Sequence, residues 1–242
     1  MKTWSWLALA AFVACSADPS VDSVSEESHG QRAKVFPPDA HPFDRSMVQW
    51  SQRWWKWIFS IPAPQNPFLD PTGEDCAVGQ EGPVWFLASI ADPGMAAAFT
   101  RTCTVPAGKA LLITPASVLN DFPCPDPNFK PAPGQSLFDF LSEGAAAIID
   151  GDTPRLIVDG DELDNPFDFR FASRHLFDIT GDLSLQTTLD GCIIGTPQPA
   201  VSDGYFYMIK PLRPGAHEVT VSAVTPRGYE VSLTYDLTIA RH

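Results

Sequence analysis

The amino-acid sequence predicts a mainly β protein, an antiparallel β-sandwich with one Trp-rich N-terminal helix packed on it. Three observations carry that prediction. Residues 218–223 and 231–239 alternate apolar and polar side chains on either side of a Pro226-Arg227-Gly228 turn, the pattern of an antiparallel pair with one wet face. Short apolar runs at 84–88, 109–113 and 205–209 are bounded by glycine and proline, as strands are. The 24 prolines and 16 glycines oppose an all-helical bundle, because helix interiors reject both. With 242 residues, 44% hydrophobic and 19% charged, the chain is globular and long enough to bury its own core. A net charge of −13 disfavours nucleic acid and anionic lipid as electrostatic partners.

Met1-Lys2 followed by the apolar run 4–14 has the length of a signal-peptide core and falls short of a spanning helix, which needs roughly 18 residues. The run ends Phe12-Val13-Ala14-Cys15. It resembles the lipobox of bacterial lipoproteins, with Phe12 where that pattern prefers leucine. The resemblance implies a signal peptide at 1–14, acylation of Cys15, and membrane attachment through the lipid. Ser16 stands where an aspartate would signal inner-membrane retention, so the outer membrane is the implied destination where the cell has one. Residues 15–34 read as a polar, acidic tether, and 35–242 as a single domain.

Within the domain, Asp44 or Ser46 caps a helix expected at about 44–60, ended by Pro62 and Pro64. Trp50, Trp54, Trp57 and Ile58 fall on one face of it, whereas Trp55 points elsewhere and is expected at the surface. Residues 62–82 are a turn-rich loop, 101–105 a strand, and 114–134, with six prolines, a long irregular loop. A second helix is expected at 136–149. Residues 154–158, the Asp159-Gly160 turn and a return through Phe171 read as a hairpin.

Export leaves Cys76, Cys103, Cys124 and Cys192, an even number for an oxidising compartment. Of the three pairings, Cys76–Cys103 with Cys124–Cys192 is the parsimonious one. Zinc is the rival reading, but there is no C-x-x-C pair to support it.

Two wider resemblances bear on the domain. The segment from Pro214 to Ile239 is similar to the last hairpin of immunoglobulin-like bacterial sandwich domains, which implies an immunoglobulin-like or jelly-roll-like arrangement and no activity. The Trp-rich helix, Gly79-Gln80, Gly82-Pro83-Val84-Trp85-Phe86-Leu87-Ala88 and Val105-Pro106-Ala107-Gly108 together resemble a group of exported bacterial proteins without assigned chemistry.

Candidate functional residues follow from chemistry. The tryptophans form either an aromatic platform or a core anchor, with Trp55 the surface candidate. Asp159, Asp161 and Asp164 suggest a Ca²⁺ loop, although the EF-hand register fails at Leu163; hairpin turns explain the same residues without a cofactor. No G-x-S-x-G elbow or phosphate-binding glycine motif is present, and His175 and His217 read as structural. Gln65, Asn66, Gln80 and Asn120 sit in proline-rich loops where a sandwich binds ligands. The expected function is a non-enzymatic binding module for a glycan, a protein or an envelope component. Its rivals are a hydrolase using Asp70, Glu74 and Asp121, and a structural envelope protein. Converging acids would mark the hydrolase, an exposed Trp55 the binder, and neither the structural protein.

Overall fold

The computed structural model describes residues 35–91 and 93–241. The signal-like segment, Cys15 and the tether therefore lie outside the described residues. Two helices, α1 (Met47–Ser60) and α2 (Leu137–Ile149), accompany nine strands: β1 (Val84–Phe86), β2 (Ala97–Val105), β3 (Ala110–Asp121), β4 (Thr153–Val158), β5 (Asp161–Glu162), β6 (Phe177–Ile179), β7 (Gln198–Ile209), β8 (Gly215–Val224) and β9 (Glu230–Ile239). Sheet A has the order β1-β3-β7-β6, and sheet B the order β2-β9-β8-β4-β5.

Both sheets are mixed, which corrects the purely antiparallel expectation. β1 runs parallel to β3, and β2 parallel to β9. The chain leaves sheet A for β2 before returning as β3, so no hairpin forces β1 and β3 to oppose each other. The alternating C-terminal segments do form the expected antiparallel pair, β8 with β9.

Burial explains the sequence patterns. In the run 84–88, Val84, Phe86 and Ala88 join one apolar cluster with α1, while Trp85 and Leu87 join a second cluster with sheet B. Residues 110 and 112 divide from 111 and 113 in the same way, as do 206 and 208 from 205, 207 and 209. Sheet A is thus covered on both faces, which is why its strands read as unbroken apolar runs, whereas sheet B alternates. The packing is sandwich-like, with α1 as a further layer.

Helix α1 starts with a capping box: Ser46 Oγ accepts from Gln49 N at 3.3 Å and Gln49 Oε1 accepts from Ser46 N at 2.9 Å. At its other end Asn66 Nδ2 donates to the carbonyls of Ile58 and Ile61, each at 2.8 Å, satisfying acceptors the helix leaves open. The indole N–H groups of Trp50, Trp54 and Trp57 donate to the carbonyls of Pro42, Leu87 and Val78. Helix α2 is capped by Ser136 and packs over β3 and β7 through Leu141, Ala145 and Val201.

Two loop expectations are corrected. β3 continues to Asp121, through part of the segment read as irregular, because a bulge between Ile113 and Ala116 accommodates Pro115 where the ladder is interrupted. The return after Asp159-Gly160 is only the two residues of β5, followed by a 3₁₀ turn at Pro166–Phe169 entered through the left-handed Asn165.

Trp54 is fully buried between α1 and sheet A, so Trp54→Ala is expected to lower unfolding free energy by about 3–5 kcal/mol in denaturant titration. A loss near that of a surface substitution would contradict this packing.

Candidate functional site

The loop from Asp70 to Cys76 is the most constrained segment bearing sequence-predicted residues. Asp70 Oδ1 accepts from the backbone N and the hydroxyl of Thr72, both at 2.7 Å, and its Oδ2 accepts from Asp75 N at 2.9 Å. Burial pushes its pKa up, but these hydrogen bonds together outweigh burial and hold the carboxyl below its usual range. The Cys76–Cys103 disulfide and a Thr102 N to Thr72 O bond of 2.9 Å fix the loop against β2. Gly73 makes that approach possible: at φ +91°, a Cβ there would lie 2.2 Å from Thr102 O.

This loop walls a groove of about 780 Å³ over the solvent-facing side of sheet B. Thr102, Asp236 and Glu218 lie side by side across β2, β9 and β8, and Thr104 pairs with Thr238 in the next rank. Glu218 and Asp236 are direct cross-strand partners, which places their Cβ atoms about 5 Å apart and sets like charges against each other. Among the described residues, Glu74, Glu218 and Asp236 have no lysine or arginine within ion-pairing distance. Asp159 closes one end, accepting from Glu218 N at 2.9 Å and meeting His217 Nδ1 at 2.7 Å. His217 Nε2 faces the Arg213 carbonyl at 2.8 Å, so both ring nitrogens point at acceptors. Among the described residues, no Phe, Tyr or Trp side chain lines the groove.

The predicted hydrolase acids are not brought together. Asp70 is spent on its own loop, Glu74 is exposed on the groove wall, and Asp121 is buried at the far end of β3 in the other sheet. The three Ca²⁺ candidates likewise do not gather. Asp159 docks His217, Asp161 pairs with Val158 in the β4–β5 ladder, and Asp164 is exposed. Among the described residues, the group with metal-ligating atoms in mutual reach is Asp121, Asp190 and Cys192, and the Cys192 sulfur is already bonded to Cys124.

Trp55 is also corrected. It is only 6% exposed, packed edge-on against Trp54 and Phe59, because the Phe68 ring of the following loop also closes over it. Its indole N–H is buried and has no partner among the described residues. Asn66 and Gln80 are structural fasteners rather than free ligands: Gln80 Nε2 donates to the carbonyls of Cys76 and Phe86, and its Oε1 accepts from Phe86 N. Asn120 Nδ2 donates to Leu141 O at 3.0 Å, joining β3 to α2. Gln65 is exposed at a 3₁₀ turn and lies outside the groove.

Sequence reasoning missed Glu218 and Asp236 as site residues. Strand alternation assigns each to a wet face, but the parallel pairing of β2 with β9, which assembles the rank, has no local signature. No family model, curated protein or solved structure matches the chain.

Asp121 has a different role. It is 2% exposed and accepts from Gln198 Nε2 at 2.7 Å, beside Asp190. Burial first, and the Asp190 charge second, push its pKa up to about 7. A raised carboxyl pKa means the folded state holds a proton that the unfolded state releases. Stability from this group is therefore full below the unfolded value of 3.8 and is lost as pH rises towards about 7. The melting temperature of Asp121→Asn is expected to fall less than that of the wild type between those two pH values. Parallel curves would show that Asp121 does not titrate there.

Proposed function

We propose that this chain is an exported cell-envelope lipoprotein, lipid-anchored through Cys15, that acts as a non-enzymatic binding module. The supporting observation is the open groove on sheet B, walled by a disulfide-fastened loop, with unpaired carboxylates in register across β8 and β9. Like charges held opposite each other on a sheet cost stability, and a cationic partner relieves that cost on binding. Of a glycan, a protein and another envelope component, a protein with a basic face fits best, since the groove lacks the aromatic surface on which sugars stack. Two disulfides indicate folding outside a reducing cytoplasm. No helix among the described residues is long and apolar enough to cross a membrane, and attachment to an outer membrane rests on the lipobox resemblance alone. An immunoglobulin-like topology finds support in the β8–β9 hairpin, with the parallel β1–β3 and β2–β9 pairs standing outside it.

The second reading is a structural envelope protein. It is favoured by the burial of Trp50, Trp54, Trp55 and Trp57, which leaves α1 without an aromatic platform.

The test is binding of the full chain to a lysine-rich peptide by isothermal titration. Glu218→Gln with Asp236→Asn is expected to weaken affinity about tenfold and to flatten its salt dependence. The charge-matched control Asp39→Asn with Asp44→Asn is expected to leave binding unchanged. No binding by the wild type, or equal losses in both variants, would overturn the groove as the site.

A further inference from the structure

A second cavity of about 410 Å³ opens at the far side of sheet B from the groove, where the two sheets part beyond the β3 bulge. Its walls come from the last turn of α2, the bulge at Pro115, the β8–β9 turn and the loop at Ser89. The lining is mixed: Phe68, Ile90, Ile149 and Val231 give it apolar surface, Ser89, Ser117 and Thr225 polar surface, and Ile148 stands at its wall 56% exposed. Ile148 carries the apolar part of the lining out to the mouth of a cavity of ligand size.

The charges around the cavity are specific. Arg101 is 2% exposed, and its guanidinium donates to the carbonyls of Phe68 and Ser89, two residues of the cavity wall, as well as to Ala88 O and Tyr235 Oη. No carboxylate lies within ion-pairing distance of it among the described residues, and its Nε is buried without a partner. A full positive charge thus stands behind a low-dielectric wall, where its field reaches further than in water. Arg227, on the exposed β8–β9 turn, adds a second guanidinium to the lining. Among the described residues, the buried Asp152 is the one carboxylate that lines the cavity, and Arg227 with the nearby Arg101 outnumbers it in a chain of net charge −13.

We propose that this cavity binds a small anionic amphiphile, an aliphatic tail with a carboxylate head, the tail against Ile90, Ile148 and Val231 and the head towards Arg227. This site is separate from the groove and does not depend on the function proposed for it.

The probes are decanoate, decanol and decylamine, titrated into the full chain and followed by calorimetry. Decanoate is expected to bind about tenfold more tightly than decanol, and decylamine most weakly. Ala147→Trp, at an exposed lining position, should fill the cavity and abolish decanoate binding without altering the fold. Arg227→Ala should bring decanoate down to the affinity of decanol. No decanoate binding by the wild type, or undiminished binding by Ala147→Trp, would overturn the site. Equal binding of decanoate and decanol, or tightest binding of decylamine, would overturn the anionic class.

Discussion

The constraint on which the rest depends is the two-sided burial of sheet A. Its central strands β3 and β7 give alternate residues to α1 and to sheet B, so each layer is stable only when both others are in place. Phe206 and Met208 meet the tryptophans of α1, while Tyr205, Tyr207 and Ile209 meet β8 and β9. Helix α1 buries too wide a surface to be an amphipathic decoration on a finished sandwich. It is one wall of a three-layer stack, and Phe68 and Phe59 enclose its Trp55.

That arrangement leaves the solvent-facing side of sheet B as the broad strand surface not covered by a helix, and function is argued from there. The disulfide Cys76–Cys103 and the close approach of Gly73 to Thr102 hold the groove wall to a strand whose other face is core. Glu218 and Asp236 stand beside it on β8 and β9, whose ladder keeps their backbones opposite each other. Their mutual repulsion is retained, which suits recognition of a cation more than acid–base catalysis, where two carboxyls need unequal environments. Among the described residues, the carboxyl pushed up is Asp121, and it lies in the other sheet beside Gln198.

Much of the architecture was legible where one physical rule acted alone. Ser46 and Gln49 spell the start of α1, Ser136 that of α2, and the alternation around Pro226-Arg227-Gly228 spells the β8–β9 hairpin. The first half of β7 was not legible, because Gln198, Ser202 and Asp203 look like loop residues. They are buried in a strand with partners supplied from afar: Asp121, Ser173 and Arg170. Arg101 misleads for the same reason, a guanidinium at an inward strand position satisfied by carbonyls that only tertiary structure brings near. Trp55 was placed at the surface by helical periodicity, which knows nothing of the Phe68 loop. The candidate site was less legible than the fold, since a rank across β2, β9 and β8 joins residues over 100 positions apart in sequence, from Thr102 to Glu218 and Asp236.

Native-state hydrogen exchange tests the layered account most directly. Amides of residues 111–113 and 205–208, covered on both faces, are expected to exchange only through global unfolding, while the β8–β9 turn and the β4–β5 hairpin open earlier. Slowest exchange in β8 and β9 with early opening of β3 and β7 would contradict it. It would mean that the C-terminal hairpin, not the doubly covered sheet, organises this protein.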